Sequence, residues 1–172
     1  MQYPDIAARL KQMGRRDHAL RRLLLDKSKH ESTLSKLDDL DTTNTQELKA
    51  IVRHIGWPTN TKVGQKAAHA AWLLIQHADQ DIVFQKQCLA LMKQENPDEV
   101  DRQHIAYLTD RIKLNEGKPQ LYGTQFVRSP SNRSHWVPYT IHNPALVEKR
   151  RKHMGLNSLK ESQIEINTSS YP

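Results

Sequence analysis

The sequence predicts a mainly all-α protein, a helical bundle around one buried central helix with a small β-hairpin in its C-terminal third. Three observations carry that prediction. The stretch Ala67–His77 (AAHAAWLLIQH) is apolar on every helical face, and a helix of that kind must be enclosed by others. Leu48, Ile51, Val52 and Ile55 repeat at i, i+3, i+4 and i+7, one face of an amphipathic helix. Most apolar runs are punctuated by helix caps, glycines or prolines, until Gly117, after which β-branched and aromatic residues take over.

Taken in order, Pro4 suits a first helical turn, and Ile6, Leu10 and Met13 follow at helical spacing, with Gly14 as an expected interruption. Leu20, Leu23 and Leu24 resume the apolar stripe, and Ser28 to Asp41 reads as a polar linker with a helical turn or two. Asn44 and Glu47 have the spacing of a capping box for the helix that ends at Gly56. Trp57-Pro58 opens a loop to Gly64, with Trp57 packing it onto the body. After the central helix, Asp79 is the expected cap of a helix with Phe84, Cys88, Leu91 and Met92 inward, closed by Asn96-Pro97. Asp101 caps the next, with Ile105, Leu108 and Ile112 inward and Gly117 as its stop. Leu121–Val127 and Trp136–Ile141 form the expected hairpin around Ser129-Pro130-Ser131-Asn132. Asn143-Pro144 starts a last helix to about Met154, stopped by Gly155, and Leu156 and Leu159 anchor one more turn. The expected organisation is one domain over 1–161 and a loose tail over 162–172.

Composition narrows the functional classes. The chain has 172 residues, 37% hydrophobic and 26% charged, enough to bury a core. Its single cysteine, Cys88, forbids an internal disulfide and fits a reducing compartment. No run of about 18 apolar residues offers a membrane span, and the N-terminus lacks the pattern of a secretory signal, so the expected location is the cytoplasm. The net charge of +7 and pI near 9.6 admit anionic ligands and nucleic acid, although a solvated basic surface is the preferred account. The densest basic run is Lys149, Arg150, Arg151 and Lys152.

The motifs Gly56-Trp57-Pro58, Gln76-His77-Ala78-Asp79, Asp110-Arg111 and Pro119-Gln120-Leu121-Tyr122-Gly123-Thr124-Gln125 occur in order, followed by Arg150-Arg151 and Gly155-Leu156. The sequence resembles a bacterial domain-of-unknown-function family with the same series, over roughly Asp17 to Leu159. That resemblance implies a fold unit and a candidate site, and names no reaction.

The candidate site is a polar cluster. His77 and Gln76 stand where the central helix turns polar, and His77 is the expected general acid or base. Arg111, beside Asp110, has the fork geometry to hold a carboxylate or phosphate, and otherwise forms an internal ion pair. Gln120, Tyr122, Thr124 and Gln125 would orient a ligand, with Gly123 allowing close backbone approach, or else make a structural hydrogen-bond network. Gln120–Gln125 is expected to cross the C-terminal end of the central helix and bring Tyr122 or Gln125 to His77. His69 reads as a core histidine, and Cys88 as a buried inert thiol. No metal or cofactor is expected: there is no His-Glu-x-x-His and no cysteine pair, and Asp101-x-x-His104 is better read as a helix cap. The leading expectation is a polar ligand pocket, in a small hydrolase or transferase acting on an anionic small molecule. The alternative is a non-enzymatic interaction protein that uses its basic surface on a protein or nucleic-acid partner.

Overall fold

The computed structural model describes residues 1–25 and 30–168. Helices dominate: α1 (Pro4–Arg22), α2 (His30–Ile55), α3 (Asn60–Val63), α4 (Gln65–Gln76), α5 (Ile82–Gln94), α6 (Arg102–Asn115), α7 (Val147–His153) and α8 (Leu159–Thr168). The strands β1 (Phe126–Arg128) and β2 (Trp136–Pro138) pair antiparallel, with Val127 opposite Val137. Among the described residues no helix is long and apolar enough to cross a membrane.

Contacts divide the chain, expected as one domain over 1–161, into two compact units, Met1–Asp101 and Arg102–Pro172. In the first, α4 packs on α1, α2, α3 and α5. Its Ala67, Ala70, Ala71, Leu74 and Ile75 are buried, as a central helix requires. One strip stays open, however: Gln65, Lys66 and His69 are exposed, and the His69 ring lies against Trp72 with centroids 5.1 Å apart. His69 is therefore a surface histidine rather than the expected core one.

Gly14 does not interrupt α1. A Cβ at Gly14 would meet the Ala70 Cβ at 3.0 Å, so the missing side chain permits the close approach of α1 to α4. The larger correction concerns α2. From His30 to Asp41 the expected linker is helix, and Asn44, the expected cap, lies buried in mid-helix. Ser28 and Lys29 of that linker lie outside the described residues. The reading failed because the inward stripe is built from small polar residues as well as leucines: Thr33, Leu37, Asn44, Thr45 and Leu48 are all buried. A threonine is tolerated there because the helix satisfies its hydroxyl, as Thr45 Oγ1 does by donating to the Asp41 carbonyl at 2.7 Å.

Asp81, not Asp79, caps α5, its carboxylate accepting from the Phe84 N–H at 3.0 Å. Trp57 is buried as expected, in a loop that also holds the short α3. In the second unit, α8 packs on β2 and α7. The tail expected to be loose from Ser162 is helical to Thr168, and Asn167 explains why: its amide oxygen accepts from the Trp136 N–H at 2.7 Å and its nitrogen donates to the Trp136 carbonyl at 3.1 Å. Polar composition hid an anchor that works by hydrogen bonds instead of apolar burial.

Candidate functional site

His77 closes α4. Its N–H bonds to the Leu73 and Leu74 carbonyls, both at 3.2 Å. The buried Gln85 side chain donates to the Ile75 carbonyl at 3.1 Å, so the helix end is satisfied without the imidazole. The ring is left for other work. Its Nδ1 lies 3.0 Å from Oδ1 of Asp17 on α1. The same Oδ1 accepts from Arg21 Nε at 3.1 Å, and Arg21 Nη2 donates to Asp41 Oδ1 on α2 at 2.6 Å. Three helices thus converge on one charged cluster.

The Asp17 side chain is only 3% exposed, whereas those of His77 and Arg21 are 22% and 29% exposed. Burial works to raise the Asp17 carboxyl, but the hydrogen bonds and charges of His77 and Arg21 outweigh it and hold the group below its ordinary value. Asp41 goes the other way: burial raises it, and Arg21 only partly compensates. An ionised carboxylate can only accept, so the Asp17 bond places the hydrogen on Nδ1 and leaves the lone pair of the neutral ring on Nε2. That is the orientation a general base needs. His77 and Asp41 line a pocket of about 140 Å³ together with Thr42, Thr45, Gln46, Ala78, Gln80 and Asp81. Asp81 is paired with Lys49, and Gln80 accepts from the Thr42 hydroxyl at 3.3 Å and donates to Asp38 at 3.3 Å.

Sequence reasoning found His77 but missed Asp17, Arg21 and Asp41. A signal for them exists. Asp17 continues the spacing of Leu10 and Met13, and Asp41 stands between Leu37 and Leu48, four residues after the one and seven before the other, so each acid stands where a hydrophobe would keep the stripe. Arg21 follows Asp17 by one helical turn.

The other predicted residues form a second polar centre, in the unit Arg102–Pro172. Asp110, fully buried on α6, accepts from the N–H groups of Leu121 (2.7 Å), Tyr122 (3.1 Å) and Thr124 (3.1 Å) and from the Thr124 hydroxyl (3.0 Å). Burial pushes its carboxyl up, against the pull of these donors. The carbonyls of the same segment face guanidinium groups. Arg150 donates to the Leu121 carbonyl at 2.8 Å, and buried Arg151 donates to those of Tyr122 and Gly123 at 2.6 and 3.2 Å. Gln120, also buried, donates to the carbonyls of Gln125 and Tyr139 and accepts from the Gln125 N–H. Arg111 donates to the Gln125 amide oxygen at 3.3 Å. The Gln120–Gln125 string is therefore held from both sides by protein groups.

Gln76 is buried next to His77 in the sequence, in the first unit, while Asp110, Arg111, Gln120, Tyr122, Thr124 and Gln125 belong to the second. The hydrogen bonds described for His77 and for Asp110 run to partners in their own unit. Cys88 is buried, and burial pushes its thiol up to about 12, which makes it inert at neutral pH. Asp17, Asp41 and His77 are the one group of possible metal ligands among the described residues.

No curated protein and no solved structure shows significant similarity to the chain. A family pattern, however, matches residues 4–171, nearly the whole sequence, including every residue of both polar centres. The chain belongs to DUF6624, a family of unknown function.

Proposed function

We propose that the pocket at the end of α4 binds a small polar molecule and that His77, oriented by Asp17, moves a proton there during a hydrolytic or group-transfer reaction. The observation that carries this reading is the 3.0 Å contact between the His77 Nδ1 and a buried, ionised Asp17 at the edge of a pocket. A buried carboxylate is costly unless its partners repay it. Here it fixes the tautomer and orientation of a partly exposed imidazole, which an inert core does not need. Arg21 and Asp41 act as positioning residues that hold Asp17 in place. The pocket has hydroxyl, amide and carboxylate groups for a ligand that both donates and accepts hydrogen bonds.

The second centre supports a different role. Asp110, Gln120, Thr124 and Gln125 already have protein partners, which favours a structural duty for the Gln120–Gln125 string. Basic residues outnumber acidic ones about two to one beyond Asp101, which keeps a non-enzymatic contact with an anionic partner as the second reading.

The test is retention of a ligand. Metal-stripped protein is mixed with a metabolite extract, desalted, and the bound compounds are identified by mass spectrometry. Wild type is expected to retain a compound that His77→Gln and Asp17→Asn lose while Gln125→Ala keeps it. Equal retention by wild type and a folded His77→Gln variant would remove His77 from the site.

A further inference from the structure

We propose that Asp17, Asp41 and His77 form a divalent-metal site with nitrogen and oxygen ligands, in which the cation takes the place held by the Arg21 guanidinium. The proposal rests on reading this pocket as the working site, and it names the reagent that site can load.

One ligand atom from each of the three side chains lies within 4.8 Å of the other two. They come from α1, α2 and the end of α4, so the fold has gathered them from residues far apart in the chain. One imidazole and two carboxylates suit Zn²⁺ or Mn²⁺. Metal–ligand bonds of about 2.0–2.2 Å place neighbouring donors roughly 3–3.5 Å apart, so the side chains must close by roughly an ångström. Asp41, less buried than Asp17, has the freedom to do so.

Charge points the same way. Asp17 and Asp41 bring two negative charges to a partly desolvated place, and Arg21 answers one of them. Arg21 is also the mobile partner. Its long side chain is 29% exposed and can turn to water, while Asp17 beneath it is 3% exposed and fixed.

A separate observation concerns α2. The Asn44 amide nitrogen is buried with no hydrogen-bond partner among the described residues. Asn44 follows Asp41 by three residues, so both stand on one face of the helix. A buried donor without an acceptor costs about 1–3 kcal/mol. The proposal has a water or hydroxide carried by the cation accept from this amide, which no group among the described residues does. Were the cation loaded, His77 would serve as a ligand, and a metal-bound water would supply the proton chemistry that His77 itself supplies in the metal-free site.

The experiment titrates Mn²⁺ into metal-stripped full-length protein. Paramagnetic broadening of histidine ring signals gives the place, and calorimetry gives the affinity. One equivalent is expected to broaden the His77 signals ahead of those of the other histidines. Asp41→Asn should weaken binding about tenfold or more, and Arg21→Gln, by removing the competitor, should tighten it by a similar factor. If Asp41→Asn does not fold, His77→Gln, which removes a ligand at the rim, takes its place with the same expected loss. Broadening spread evenly over the histidines, equal affinity in wild type and the ligand variant, or no tightening in Arg21→Gln each overturns the proposal. The ligand-retention test uses metal-free protein, so either result can fail while the other stands.

Discussion

Asp110 and Asp17 are both buried aspartates at the heart of a polar centre, and they are satisfied in opposite ways. Asp110 receives its hydrogen bonds from one folded segment, chiefly backbone N–H groups that cannot titrate or move away. Asp17 receives its bonds from two side chains, Arg21 and His77, both partly open to solvent. The difference separates architecture from chemistry. A carboxylate saturated by backbone donors fixes a loop, whereas one that holds a titratable ring beside a pocket fixes a reagent. Both centres depend on burial, so burial alone does not tell them apart; the identity and mobility of the partners does.

The largest expected effect is at Asp110. Asp110→Ala strips the acceptor from three backbone N–H groups and one hydroxyl in a buried place. At about 1–3 kcal/mol for each donor left unpaired, the loss is at least about 4 kcal/mol, enough to unfold the second unit. Urea denaturation followed by the fluorescence of Trp136, the tryptophan of that unit, measures it. A loss below about 1 kcal/mol would mean the Gln120–Gln125 string does not depend on Asp110, and the comparison would break at its stronger end.

Gly123→Ala should come next, at about 2 kcal/mol. Gly123 has a φ of +69°, and an added Cβ would lie 2.8 Å from Leu159 Cδ1 and 3.0 Å from Ile141 Cδ1. The expected result in the same urea experiment is a lower midpoint with ligand retention by the His77 pocket unchanged. Loss of retention at full stability would assign this segment the ligand role expected from the sequence.

The two centres were unequally legible. The helical class, the enclosed α4, the hairpin and the stops at Gly56 and Gly117 follow from periodicity and turn chemistry that are local in the chain. The Gln120–Gln125 string was visible as a dense polar motif, but its partners were not. Asp110 lies on the preceding helix and Arg151 far downstream, and nothing in the sequence says that one would take the N–H groups and the other the carbonyls. For the His77 centre the histidine was found and its partners missed, because Asp17 was passed over in the first helix and Asp41 stood at the end of a stretch read as a polar linker. A charge that replaces a hydrophobe in an inward stripe was the available sign. In α2 that sign was further masked by buried polar residues: Thr33 made the stripe look like a solvated linker, and Asn44 looked like a helix cap.

Asp17→Asn is expected to cost about 1.5–3 kcal/mol, the range for hydrogen bonds to a charged group. The amide keeps the shape but gives Arg21 and His77 a neutral acceptor, and it gives the ring no charged reason to hold its hydrogen on Nδ1. Retention of ligand should fall with it. A variant that loses stability but keeps full retention would make Asp17 an architectural residue like Asp110 and would erase the distinction between the centres.

The smallest expected stability effect, and the sharpest test, is His77→Gln. His77 ends α4 through its backbone, and Gln85 satisfies the neighbouring carbonyl, so the helix does not need the imidazole. The side chain is 22% exposed, so the packing it loses is modest. Asp17 keeps its bond to Arg21 through the same Oδ1, and the glutamine amide can donate to that carboxylate, so no buried charge is abandoned. The balance is a loss of about 1 kcal/mol or less, near the worth of one exchanged hydrogen bond. Function should respond quite differently. A glutamine amide has no basic ring nitrogen, so it cannot take a proton from a bound molecule, and turnover should fall about 100-fold or more. The contrast with Asp110→Ala is then complete: large stability loss from a residue that holds a loop, and near-native stability with lost chemistry from a residue that faces a pocket. A His77→Gln protein that melts as far below wild type as Asp110→Ala would show that the ring is structural after all.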